Sequence, residues 1–257
     1  IMNSSPWDAI FDKYDISNHN FSTPFTISAE QIKQATSHFK KTNEREVRIL
    51  CKQDSRKDRP EIFVKNNLFL LPTKNGQYAI IKGEGYLDIP EITTAQKIYT
   101  SKLQFKLETS QIGNSEMQHL DFAYAASLIR TFLEDDSLVL TIRGRKYTPA
   151  FSFFVGKQKI DVDGVQTEVD AGYEGKNLIA LIEAKNSQTK NVIIRQLYYP
   201  FRQWSNHTKK KVVPLFFEKR QNFYSLWQFN FTDPNNYNSI TLVKSSKYEI
   251  IENDKSN

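Results

Sequence analysis

The stretch Thr167-Glu-Val-Asp-Ala-Gly-Tyr-Glu-Gly-Lys-Asn-Leu-Ile-Ala-Leu-Ile-Glu-Ala-Lys-Asn186 decides how the rest of the chain is read. Leu178 to Ile182 is entirely apolar, as a strand covered on both faces of a sheet should be. Its end carries Glu183 and Lys185. Strand residues two apart point the same way, so a carboxylate and an ammonium project together from a buried strand. Burial costs on the order of several kcal/mol per ion unless pairing or a metal compensates. Such a cost calls for a chemical reason.

Asp170 ends the preceding strand-like run, thirteen positions before Glu183. Gly172 and Gly175 are expected to let the chain turn between the two runs. Two carboxylates brought together repel, and a divalent cation resolves the repulsion. Mg²⁺ suits one or two carboxylates completed by water and phosphate, and the Ala184 carbonyl can add a ligand. Lys185 can then orient a water and offset charge on a phosphate. One geometric difficulty stands in the way. A regular hairpin centred near Glu174 puts Asp170 opposite Ile179, roughly 13 Å short of Glu183 at ~3.3 Å per residue. A skewed crossing or a bulge is therefore expected, or Asp170 lies beyond the pairing. Glu168 is a rival ligand and Glu174 a weaker one.

Further out the pattern is that of an α/β (α+β) chain with a mixed sheet flanked by helices. Ser115 to Glu134 reads as one helix, capped by Ser115 with Gln118 at its third position. Its stripe of Leu120, Tyr124 and Leu128 is core. Strand-like runs cover Leu138–Ile142, Phe151–Val155, Ile160–Asp170 and Leu178–Lys185. A second helical pattern holds Ile193, Leu197, Phe201 and Trp204, which Pro200 is expected to kink or restart. The runs Val212–Phe217, Phe223–Phe231 and Ile240–Val243 read as strands.

Residues 1–100 look like a separate N-terminal subdomain and 101–257 like the catalytic domain. In the first, Ile27 to Phe39 is a helix with a Ser28/Gln31 capping box. Residues 40–65 mix nine basic and five acidic side chains, with a loop over Asp54–Pro60. Leu68–Leu71 and Tyr78–Ile81 flank Asn75-Gly76, a hairpin signal. Helix plus hairpin suits a DNA-recognition unit, winged-helix-like in outline, or a structural extension.

The chain has 257 residues, 25% charged and 39% hydrophobic, the balance of a globular protein. No run is long enough to cross a membrane. Residues 1–4 show no secretory leader, and Ile1 ahead of Met2 suggests either that Ile1 is an added remnant or that the numbering does not begin at a native start. The single cysteine, Cys51, excludes a disulfide framework and reads as a small apolar residue. Four scattered histidines exclude a His-based cage. A reducing, cytoplasmic setting is expected. The net charge of +6 suits a polyanionic partner.

Asp170 followed by Glu183-Ala184-Lys185 resembles the PD-(D/E)XK nuclease signature, with Val169 where the motif has Pro. Residues 110–220 are similar in layout to type II restriction endonucleases. The resemblance implies that Asp170 and Glu183 bind metal and that Lys185 assists catalysis. It adds Glu116, at the start of the helix ahead of the strand meander, and Gln196, on the helix after the Glu-Ala-Lys strand. Each also has an ordinary reading, as a first-turn acid favoured by the helix dipole and as a surface polar residue. A restriction-endonuclease-like core, Mg²⁺ (or Mn²⁺), double-stranded DNA as substrate, a homodimer and a restriction-modification setting are what the resemblance implies.

Candidate phosphate contacts are Arg143, Arg145, Lys146, Arg195, Arg202 and the run Lys209, Lys210, Lys211, or else these form a solvated face. The expected function is a Mg²⁺-dependent, site-specific endonuclease. The rivals are a structure-specific or repair nuclease of the same fold, a DNA-binding regulator without catalysis, and an RNA nuclease.

Overall fold

The computed structural model describes residues 5–253; the leader reading of residues 1–4 lies outside them. Residues 5–82 form their own layer. Helix α1 (Pro6–Lys13) leads to strand β1 (Phe25–Ser28) and helix α2 (Ala29–Thr36). Two single turns, α3 (Thr42–Arg45) and α4 (Val47–Leu50), are separated at Glu46, whose ψ of 115° leaves the helical range. Helix α5 (Glu61–Lys65) precedes the hairpin of β2 (Leu68–Lys74) and β3 (Gln77–Lys82). The three strands lie antiparallel in the order β1-β3-β2. The expected capping box is present: Ser28 Oγ accepts from Gln31 N at 3.1 Å, and Gln31 Oε1 accepts from Ser28 N at 2.8 Å. Asn75-Gly76 makes the two-residue turn, with Lys74 paired to Gln77. Trp7, Phe11, Ile32, Val47, Leu50 and Phe63 fill the core of this layer.

Short strands β4 (Tyr86–Asp88) and β5 (Lys97–Thr100) follow, then helices α6 (Glu116–Ala125) and α7 (Leu128–Leu133). The single helix expected over Ser115–Glu134 is thus two. Ser127, with φ of 66°, breaks it in the left-handed region. The strands continue with β6 (Val139–Tyr147), β7 (Phe151–Val155), β8 (Gln158–Val162), β9 (Gln166–Glu174) and β10 (Leu178–Lys185). The expected run Ile160–Asp170 is divided at Gly164, whose φ of 64° turns the chain. Strand β11 (Asn191–Ile193), helix α8 (Arg195–Ser205) and strands β12 (Lys211–Arg220), β13 (Phe223–Phe231) and β14 (Ile240–Ile251) complete the chain.

Seven strands build the main sheet in the order β5-β14-β13-β12-β10-β9-β6. It is mixed: β10 runs parallel to β12 and β14 to β5, and the other pairs are antiparallel. Helix α8 lies in the crossover from β10 to β12. Strand β10 is buried on both faces. Ile179 and Leu181 join the core shared with Leu197, Tyr198 and Phe201 of α8. Ala180, Ile182 and Ala184 join the core beneath α6 and α7. Pro200 neither ends nor restarts α8, which runs through it. Proline has no N–H, so the Gln196 carbonyl loses its donor four residues on. Among the described residues, no helix is long and apolar enough to cross a membrane.

Candidate active site

The hairpin of β9 and β10 brings the carboxylates together in a way the expected turn did not. Glu174 pairs with Ile179, Gly172 with Leu181 and Ala171 with Ile182. Continuing that register sets Asp170 opposite Glu183. The turn is centred two residues later than expected and closes where Gly175 N donates to the Leu178 carbonyl at 2.9 Å. Gly172 is therefore no turn residue. It is buried in β9, where an added Cβ would come 2.6 Å from the Ile142 Cβ. A bulge is present as well, on the other flank of β9. Ile142 pairs with Gly172 and Gly144 with Val169, so β9 carries one residue more than β6 at Asp170. Bulges near sites commonly re-aim a side chain.

Around this junction the polar contacts are specific. Asp170 Oδ2 accepts from Ala184 N at 2.7 Å. The Lys185 ammonium donates to Glu183 Oε1 at 2.5 Å and to the Ala184 carbonyl at 3.1 Å. Gln196 Nε2, from the first turn of α8, donates to the same Glu183 oxygen at 2.8 Å. Gln196 Oε1 is buried without a hydrogen-bond partner.

Burial is the main force on these groups. It raises the Glu183 carboxyl to about 7, with Asp170 adding to the rise and Lys185 opposing it. Burial also raises Asp170, against the Ala184 N–H and Lys185, while Glu116 and Glu168 push the same way as burial. Burial works against the Lys185 charge too, but its ion pair with Glu183 outweighs this and the ammonium is strengthened. The surroundings thus undercompensate negative charge on these two acids and favour their protonated forms.

Among the described residues, no three His, Cys, Asp or Glu side chains gather as a metal cage. The smaller set of Asp170, Glu183 and the Ala184 carbonyl is all oxygen. Glu183 Oε1 and the Ala184 carbonyl already converge on one cation, the Lys185 ammonium. Hard oxygen donors of this number fit Mg²⁺, which keeps several waters.

A cleft of about 800 Å³ opens over these residues, and Glu116, Arg145, Glu168, Arg195 and Gln196 also line it. Glu116 sits at the first turn of α6 and acts electrostatically on both Asp170 and Lys185. Glu168 is exposed and pairs with Arg145 at 3.3 Å. Glu174 ends β9 opposite Ile179, at the far end of β10 from Glu183, and pairs with Lys210.

The expected phosphate contacts divide. Arg145 and Arg195 stand at the cleft, and Lys146 is exposed beside Arg145 on β6. Arg143 instead clamps Asp121 through both terminal nitrogens. Arg202 is held by the Ser152 and Pro234 carbonyls and the Tyr198 hydroxyl. Lys209, Lys210 and Lys211 lie where β12 pairs with the start of β10, seven residues or ~23 Å along the strand from Lys185.

Other cleft residues carried no sequence assignment. Arg48, Lys52 and Gln53, with the hairpin tip Lys74-Asn75, form the wall facing the carboxylates. For Arg48, Lys52 and Gln53 the sequence signal was the density of charge over residues 40–65, and for Lys74-Asn75 it was the hairpin dipeptide Asn75-Gly76.

Residues 4–80 match the sequence-family model described as domain of unknown function DUF6996, which ends within β3. Comparison with curated proteins and with solved structures returned no match. Residues 81–249, which include the main sheet up to the last two residues of β14 and every residue of the proposed catalytic set, match the model described as domain of unknown function DUF6997, and the chain belongs to that family.

Proposed function

We propose that this chain is a site-specific endonuclease that hydrolyses phosphodiester bonds of double-stranded DNA with Mg²⁺, on a restriction-endonuclease-like core. The observation that carries the reading is that Asp170 takes the backbone N–H of Ala184, next to Glu183 where the β9–β10 ladder ends, with Lys185 two residues beyond Glu183 on the same strand. Asp170, Glu183 and the Ala184 carbonyl would hold the metal. Bound there, Mg²⁺ would supply Lewis acidity to a water and charge neutralisation to the scissile phosphate. Lys185, once free of Glu183, orients the attacking water and offsets charge on the phosphate oxygens. Gln196 keeps the Glu183 carboxylate aimed into the cleft. Arg145 and Arg195 attract the DNA backbone. Sequence-specific cutting of both strands further implies a two-fold dimer, one site per strand.

Purified protein is expected to cut plasmid and linear duplex into discrete bands with Mg²⁺ and to stop in EDTA. Cutting confined to branched or mismatched DNA would favour a structure-specific nuclease of the same fold, and cutting of RNA alone an RNA nuclease. A DNA-binding regulator without catalysis is the second reading. It is favoured by the closed Lys185–Glu183 ion pair and by the lack of a third clustered carboxylate among the described residues. It predicts salt-dependent binding with no cleavage at any metal concentration.

A further inference from the structure

The N-terminal layer has the element order helix, strand, helix, short helices, strand, strand, with its sheet ordered β1-β3-β2. That is the order of a winged helix-turn-helix unit, in which the segment after the second helix enters the major groove and the hairpin flanks it. Here the segment is Thr42–Gln53 and the hairpin tip is Lys74-Asn75.

The segment is amphipathic in the sense required. Val47 and Leu50 are buried in the N-terminal core. Arg45, Arg48 and Lys52 are exposed. Arg48, Lys52, Lys74 and Asn75 face the same cleft as Asp170 and Glu183. The one acid on this wall, Asp54, is paired with Arg195 at 3.7 Å and Lys52 at 4.0 Å. A second observation points to a ligand. Gln53 lines the cleft and is 2% exposed, yet neither amide atom has a hydrogen-bond partner. Buried polar atoms are rarely left unpaired. The Gln53 backbone is fixed: its carbonyl accepts from the Tyr86 hydroxyl at 3.1 Å, and the next carbonyl accepts from Ile193 N at 2.8 Å. The side-chain amide itself is held by no partner, so it is free to turn from its buried position toward the cleft, where it offers one donor and one acceptor, as adenine N7 and N6 require.

We infer that residues 42–53 are the base-reading element of this protein, with Arg48 and Gln53 contacting base edges of duplex DNA and Lys74 contacting its backbone. The inference rests on duplex DNA being the substrate of the cleft. It adds that sequence is read by the N-terminal layer while the main sheet supplies the chemistry.

The test is selection of duplexes with a randomised centre on the full chain in EDTA, which separates reading from cleavage. The selected duplex is then titrated against a scrambled one by fluorescence anisotropy. The wild-type chain should enrich one short sequence. Arg48→Ala and Gln53→Ala should each lose about tenfold or more for that duplex and little for the scrambled one. Arg48→Lys, which keeps the charge but not the two-pronged contact, should lose selectivity while still binding. Lys74→Ala should weaken both duplexes equally and reduce the salt slope by about one. Circular dichroism on each variant confirms folding.

Selective binding without any Mg²⁺-dependent cleavage would overturn the nuclease reading and leave this inference standing. Cleavage at sites that Arg48→Ala, Arg48→Lys and Gln53→Ala leave unchanged would overturn this inference alone. A wild-type chain that enriches no sequence would overturn it as well.

Discussion

Gln196 donates its side-chain amide to Glu183 Oε1 at 2.8 Å, so helix α8 aims a carboxylate that strand β10 supplies. The same oxygen takes the Lys185 ammonium at 2.5 Å. One buried carboxylate thus sets the geometry of two neighbours.

Removing either charged member should abolish cutting. Glu183→Ala and Lys185→Ala are each expected to lower the cleavage rate by about 10²-fold or more, since each deletes a preorganised charge at the reacting phosphate. Initial rates on a supercoiled plasmid at saturating Mg²⁺ give the number. A wild-type rate in either variant would end the proposed mechanism.

Gln196 acts through Glu183, and its deletion should look different. Gln196→Ala is expected to reduce kcat by about 10–100-fold and to need more Mg²⁺, while KM for DNA stays near the wild-type value. An unchanged Mg²⁺ dependence would leave Gln196 a packing residue only.

The buried acid makes stability depend on pH in a definite direction. Burial holds Glu183 at about 7, above the ordinary 4.5. Its protonated form is thus favoured by the fold, and that contribution is full below about pH 4.5 and lost as pH climbs to 7. Lys185 is the chief group pulling the Glu183 value back down. In Lys185→Met the loss should therefore continue above pH 7, while in the wild type it ends there. Urea midpoints measured in EDTA from pH 4.5 to 9 should separate the two proteins increasingly above neutrality. Parallel curves would mean that Lys185 does not govern the Glu183 charge.

Gly172 is a packing position between β6 and β10. An alanine there would press its Cβ on Ile142 at 2.6 Å and on Leu181 Cδ2 at 3.2 Å. Overpacking of this kind costs about 1–3 kcal/mol. Gly172→Ala should lower Tm by several degrees and, because Asp170 lies two residues away, reduce cleavage as well. A variant as stable as the wild type would show that β6 yields at Ile142.

The sequence alone determined the mixed α/β class, the doubly buried strand Leu178–Lys185 and the hairpin at Asn75-Gly76. These follow from local rules: an unbroken apolar run, a two-residue period and a turn dipeptide act over a few neighbours. The Ser28/Gln31 cap was legible for the same reason. Only the tertiary structure decided that Asp170 faces Glu183. That depends on where a turn closes, at Gly175 and Leu178, and on one extra residue in β9 against β6. Shifting either by a residue or two changes the pairing without changing the pattern. Pro200 within α8 and the break at Ser127 were likewise settled by packing, which overrides local preference. The charged run at 40–65 was visible, but chain order holds no distance. The fold alone placed Arg48 and Gln53 across a cleft from a carboxylate some 130 positions away, because the N-terminal layer packs on β8 and joins the chain at β11.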